Sequence, residues 1–136
     1  HFSILGTDLD EESLGQARAG IYSEEKLQPV SPQMRQAYFH PMEKGYQLSP
    51  EVRQSCVFQH FDLVHGEIAE KFDLISCRNV MIYFSKELQE RVLLKFYETL
   101  RPGGYLWLGK AESLWGRSQE LFEPVDKKGK IFRKVS

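Results

Sequence analysis

Cysteine is scarce in this 136-residue chain. The only two, Cys56 and Cys77, both fall in apolar, strand-like runs. That usage excludes a disulfide framework and reads as two reduced core thiols, with a cytoplasmic setting as the expectation. Histidine is also thin: the four are scattered, and His60 and His65 fit no ligand spacing, so no metal site is expected. Neither charge sign dominates. A net charge of −1 gives no electrostatic case for nucleic acid or an anionic membrane as partner. No apolar run approaches the length of a membrane span, so membrane insertion is not expected. There is no G-x-G-x-x-G turn, which removes the main support for a nicotinamide-dependent oxidoreductase. No internal repeat or low-complexity segment interrupts the chain. What remains is an ordinary globular composition, 41% hydrophobic and 27% charged, in a length that suits one domain or part of one.

The most informative stretch is Lys71 to Phe84, KFDLISCRNVMIYF. Phe72 to Cys77 has the length and apolar character of a strand buried on both faces. It ends in Arg78 and Asn79 and continues as Val80-Met81-Ile82-Tyr83-Phe84, a run expected to face a ligand crevice. Upstream, Phe2 to Thr7 reads as a strand and Asp10 as the N-cap of a helix whose first turn carries Glu11 and Glu12. Leu14, Ala17 and Ile21 give that helix an apolar stripe, and Gly20 is placed to end it. Ser31 and Pro32 open a short helix to about Tyr38. Tyr38 to Arg53, with Pro41, Gly45 and Pro50, reads as an irregular excursion containing short antiparallel strands around Lys44-Gly45.

Cys56 to Phe61 returns as a strand ending at Asp62-Leu63. Ser85 caps a helix over Lys86 to Leu100 with a stripe of Leu88, Val92, Leu93, Phe96 and Leu100. Arg101-Pro102-Gly103-Gly104 stops it. Tyr105 to Gly109 is expected to be a buried strand, and Leu121 to Val125 with Lys130 to Val135 a closing antiparallel hairpin. Strands alternating with helices mean an α/β fold with a mostly parallel sheet.

In such sheets ligands bind outside the carboxyl ends of the strands. Those ends carry Asp8, Asp62-Leu63 and Arg78-Asn79. An acid at the end of a strand before a capped helix can accept from both hydroxyls of a ribose. Each residue also has an ordinary reading: Asp8 and Asn79 as turn formers, Arg78 as a surface ion-pair partner, Tyr83 as a half-buried aromatic. Their convergence on one end of the sheet is the signal.

Four segments carry a family resemblance: TDLD at the first strand end, GIYSEEKLQPVSP after the first helix, CRNVMIYF followed by SKELQ, and RPGGYLWLGKAESL. Together they resemble the CheR methyltransferases, which use S-adenosylmethionine (SAM) to esterify glutamates of chemotaxis receptors. The resemblance implies a Rossmann-like class I SAM-dependent methyltransferase sheet, SAM as cofactor and S-adenosylhomocysteine as product. By position it assigns Asp8 to the ribose and Asp62-Leu63 to the adenine, Asp62 standing where familiar members carry Asn. Arg78 and Asn79 fall at the cofactor, and Tyr83, with Arg78, at the reactive methyl. The partner implied is the cytoplasmic domain of a chemoreceptor or a similar signalling protein. A non-catalytic SAM-binding signalling module is the alternative. The family's glycine-containing loop and helical N-terminal domain have no counterpart in the sequence. Residues 1–136 are therefore expected to form the C-terminal portion of the methyltransferase domain, lacking its first strand, with a small inserted subdomain at about 34–55. That portion alone is expected to be inactive.

Overall fold

A computed structural model describes residues 2–135 and divides the chain into two compact units, one ending at Asp62 and the other beginning at Leu63.

The first unit opens with strand β1 (Ile4–Asp8) and helix α1 (Glu11–Ala19). Asp10 caps the helix, its carboxylate accepting from Glu12 N at 3.2 Å, and Gly20 ends it in the left-handed conformation at φ 65°. A side chain there would be strained, which is why glycine closes this helix. The stop also removes Ile21 from the helical stripe in which the sequence put it. Ile21 instead starts β2 (Ile21–Tyr22). Helix α2 (Pro32–Tyr38) begins as expected on the Ser31 cap, whose hydroxyl accepts from Met34 N. The hairpin around Glu43-Lys44 joins β3 (Phe39–Met42) to β4 (Gly45–Leu48), and β2 pairs with the other side of β4 to make a three-stranded antiparallel sheet. A short helix unforeseen in the sequence, α3 (Pro50–Gln54), leads into β5 (Cys56–His60). Strands β1 and β5 pair in parallel, Asp8 opposite His60.

The second unit is a four-stranded sheet over one long helix. Strand β6 (Phe72–Cys77) pairs in parallel with β7 (Leu100–Leu108). The hairpin of β8 (Phe122–Asp126) and β9 (Ile131–Lys134) adds antiparallel strands in the order β6-β7-β9-β8. Helix α4 (Lys86–Thr99) starts at Ser85, whose hydroxyl accepts from Leu88 N at 3.2 Å. Its Val92, Leu93 and Phe96 pack with Leu100, Leu106, Leu108, Phe122 and Phe132 into one core. The helix ends one residue before the expected Leu100, which already belongs to β7. A last short helix, α5 (Ser118–Leu121), precedes the hairpin.

Outside the three-stranded sheet and the strands of the C-terminal hairpin, the pairings of β1 with β5 and of β6 with β7 are parallel, as expected of an α/β fold. Two strands are less buried than their sequences suggest. On β7 Leu106 and Leu108 are fully buried while Tyr105 and Trp107 are exposed. On β6 Leu74, directly opposite Tyr105, is 55% exposed. Only one face of this parallel pair meets α4. Because every residue of Tyr-Leu-Trp-Leu is apolar, the sequence conceals the period-two alternation.

Candidate functional site

Each unit carries polar side chains at the carboxyl ends of its own parallel strands. In the first unit, Asp8 ends β1. Its Oδ1 accepts from Asp10 N at 3.0 Å, closing a small turn into α1. One oxygen of Asp8 is thus engaged in the turn, in keeping with its ordinary reading as a turn former. Phe61 N donates to the Asp8 carbonyl at 3.1 Å, so Asp62, half-buried just beyond β5, leaves its strand at the same end as Asp8.

The second unit builds its site on the loop after β6. Asn79 has φ 64°, a conformation that asparagine tolerates better than most residues. Arg78 lays its guanidinium over the Trp107 ring, 4.6 Å from the centroid, and its Nε points at the Leu108 carbonyl at 3.4 Å. This is a cation–π contact in place of the ordinary surface ion pair. The following residues make a 3-10 turn, Met81–Tyr83. The run Val80 to Phe84 does not face outward as a whole. Met81 is completely buried and Phe84 packs against the core, while Val80, Ile82 and Tyr83 are exposed. Tyr83, at 84% exposure, is open to solvent rather than half-buried.

Three further residues fix this end of the unit, and the sequence assigned none of them to a site. The Glu112 carboxylate is buried and accepts backbone N–H groups from Asn79, Val80, Met81 and Gly109. Gly109 lets the two loops touch: a Cβ there would lie 2.4 Å from Asn79 Oδ1. Lys95, on α4, donates to the carbonyls of Leu63, Val64 and Gly66 at 3.1, 3.1 and 2.7 Å, and Leu63 also packs against the core. An acid followed by Ser-Leu just past a strand end was the available clue to Glu112. For Lys95 the clue was a cation one turn after Arg91 on a helix that is otherwise half apolar.

Burial, with the Glu112 carboxylate beside it, pushes the Cys77 thiol from the ordinary 9.0 up to about 12. The thiol is therefore a neutral core group. Among the described residues no cluster of His, Cys, Asp and Glu could hold a metal ion. None of their helices is long and apolar enough to cross a membrane.

Parallel strand pairs in both units, with helices between the strands, define a Rossmann-like α/β fold. Residues 1–131 match the family described as CheR methyltransferase, SAM binding domain, and the chain belongs to that family. The domain's cofactor is accordingly SAM. A probable chemotaxis protein methyltransferase from Rhizobium etli is 35% identical over 129 residues, covering 91% of this chain and 48% of the relative. A chemotaxis protein methyltransferase from Listeria monocytogenes is 40% identical over 84% of this chain and 44% of its own length. Chemotaxis protein methyltransferase 1 from Pseudomonas aeruginosa is 39% identical over 82% and 42%. The chain thus spans about half the length of the curated relatives it matches. Among solved structures, a possible exported protein from Bordetella parapertussis shares the fold at a TM-score of 0.57, with 14% identity over 98% of this chain and 54% of that one. That likeness is one of fold alone.

Proposed function

We propose that this chain is the cofactor-binding part of an enzyme that transfers the methyl group of SAM to glutamate side chains of a chemoreceptor's cytoplasmic domain. The products are glutamate methyl esters and S-adenosylhomocysteine. The family match over residues 1–131 carries this reading. The chemistry of the strand ends supports it. Asp8 commits only Oδ1 to its turn, so Oδ2 remains an acceptor for a ribose hydroxyl. Asp62 and Leu63 frame the adenine, and the Lys95 clamp on the Leu63 carbonyl gives that segment a fixed course. Arg78 and Asn79 hold the rest of the cofactor on a loop whose backbone is tied down at three successive N–H groups.

When bound, SAM supplies an electrophilic sulfonium methyl. The protein needs no general base opposite it. A glutamate with an ordinary pKa of about 4.3 is already a carboxylate at neutral pH. The work left to the protein is alignment, for which proximity alone supplies several kcal/mol. Exposed Tyr83 orients the groups around the methyl and transfers no proton. The segment at about 34–55, with its hairpin, serves as a small inserted subdomain facing the receptor.

The test uses the complete protein, SAM labelled in its methyl group and a purified receptor cytoplasmic domain. Label should enter the receptor and be released as methanol by mild alkali, as a carboxylic ester requires. Label that survives alkali would mean transfer to nitrogen or sulfur. No transfer, with SAM still bound, would mean a non-catalytic SAM-binding module.

A further inference from the structure

Glu112 stands three residues beyond Gly109 in the loop after β7, its own N–H donating to the Gly109 carbonyl at 3.0 Å. Only 3% of it is exposed. A buried carboxylate is costly unless its oxygens are filled by donors, and here both are. Oε1 accepts from Asn79 N at 2.9 Å and Gly109 N at 2.7 Å. Oε2 accepts from Val80 N at 3.2 Å and Met81 N at 2.8 Å. The donors come from two loops, those after the adjacent parallel strands β6 and β7. Successive backbone N–H groups in a turn with one left-handed residue form an anion-binding concavity, and Asn79 at φ 64° is that residue. Glu112 fills the concavity from within the protein.

We infer that Glu112 is the positioning residue of the methyl-transfer site. Its carboxylate fixes the loop that presents Arg78, Asn79 and Tyr83, so that the cofactor meets a loop already in its working shape. This rests on the function proposed above. The requirement is for a carboxylate and not merely for a polar side chain of that length. Glutamine would turn an NH2 group toward two of the four N–H donors. Aspartate is one methylene too short to span both loops. Met81, completely buried, anchors the far side of the loop, so freeing the near side should loosen Arg78 to Val80 without unfolding the core.

The test compares wild type, Glu112→Gln and Gly109→Ala in the complete protein. The second variant reaches the same joint from the other side. Its new methyl group would press on Asn79 Oδ1 and on Glu112 Oε1, 2.8 Å away. Amide hydrogen exchange at residues 79–81 and 109 reads the joint itself. Calorimetry reads SAM affinity, and kcat at saturating SAM reads alignment. Both variants should exchange those amides faster, bind SAM roughly tenfold more weakly and lose roughly tenfold in kcat, while KM for the receptor stays within a factor of about three. Hydrogen exchange in α4 should be unchanged. The proposal is overturned if the amides stay protected, or if they are freed while SAM affinity and kcat hold. Should Glu112→Gln fail to fold, Gly109→Ala decides by the same criteria. A wild type that binds no SAM would overturn the function itself, whereas an active wild type with indifferent variants overturns the role of Glu112 alone.

Discussion

Cys77 sits one residue before the Arg78-Asn79 pair, yet its chemistry is that of the core. Its thiol, raised to about 12, stays protonated at neutral pH, while a free chain ionises near 9.0. The unfolded state therefore gains thiolate first. The stabilising contribution of this group is complete below about pH 9 and is lost as pH climbs from there through about 12. At pH 8 a thiol reagent should label half-buried Cys56 quickly and Cys77 only at the rate of unfolding. Fast labelling of both would contradict the buried position of Cys77. Tyr83 makes the opposite prediction, because it is far more open than Val80 or Ile82 beside it. If it orients groups without moving a proton, Tyr83→Phe should lower kcat a few-fold, leave SAM affinity unchanged and leave the pH profile where it was. A shifted pH profile would make it an acid or base after all. At this scale the sequence showed which polar residues close the parallel strands, as at Asp8, Arg78 and Asn79. Glu112 and Lys95 were not readable, because what marks them is the set of backbone groups they meet, and those come from residues about thirty positions away.

The elements followed local chemistry closely wherever a cap was present. Asp10, Ser31 and Ser85 each begin the helix expected of them, and each side chain accepts a backbone N–H of the first turn. Losing the best of these should be measurable. Ser85→Ala removes the acceptor for Leu88 N and should cost about 1 kcal/mol, a drop of a few degrees in Tm, since α4 carries Val92, Leu93 and Phe96 into the core. No change in Tm would mean that packing alone sets the helix start. The expectations failed where tertiary contacts decide. Strand β2 has only Ile21 and Tyr22 and exists through its pairing with β4. Helix α3 lacks a side-chain cap bond, and Arg117, at the N-cap of α5, makes none either. The one-sided burial of β6 and β7 was hidden because apolar residues occupy both faces, so the pattern carried no information about which side meets α4.

For the whole molecule, the family match runs through both compact units. The family could be read from four sequence segments. No residue pattern of this chain identifies a methyl acceptor. The account's central claim is that the strand ends hold SAM, and Asp8 offers the cleanest handle on it. Asp8→Asn keeps an oxygen for Asp10 N, so the turn into α1 survives, while the charge and the second carboxylate oxygen are lost. Calorimetry of SAM with the complete protein and this variant should show binding weakened by about 1.5–3 kcal/mol, the range for a hydrogen bond to a charged group, at unchanged Tm. Equal affinity in the two proteins would return Asp8 to the turn alone and contradict the claim.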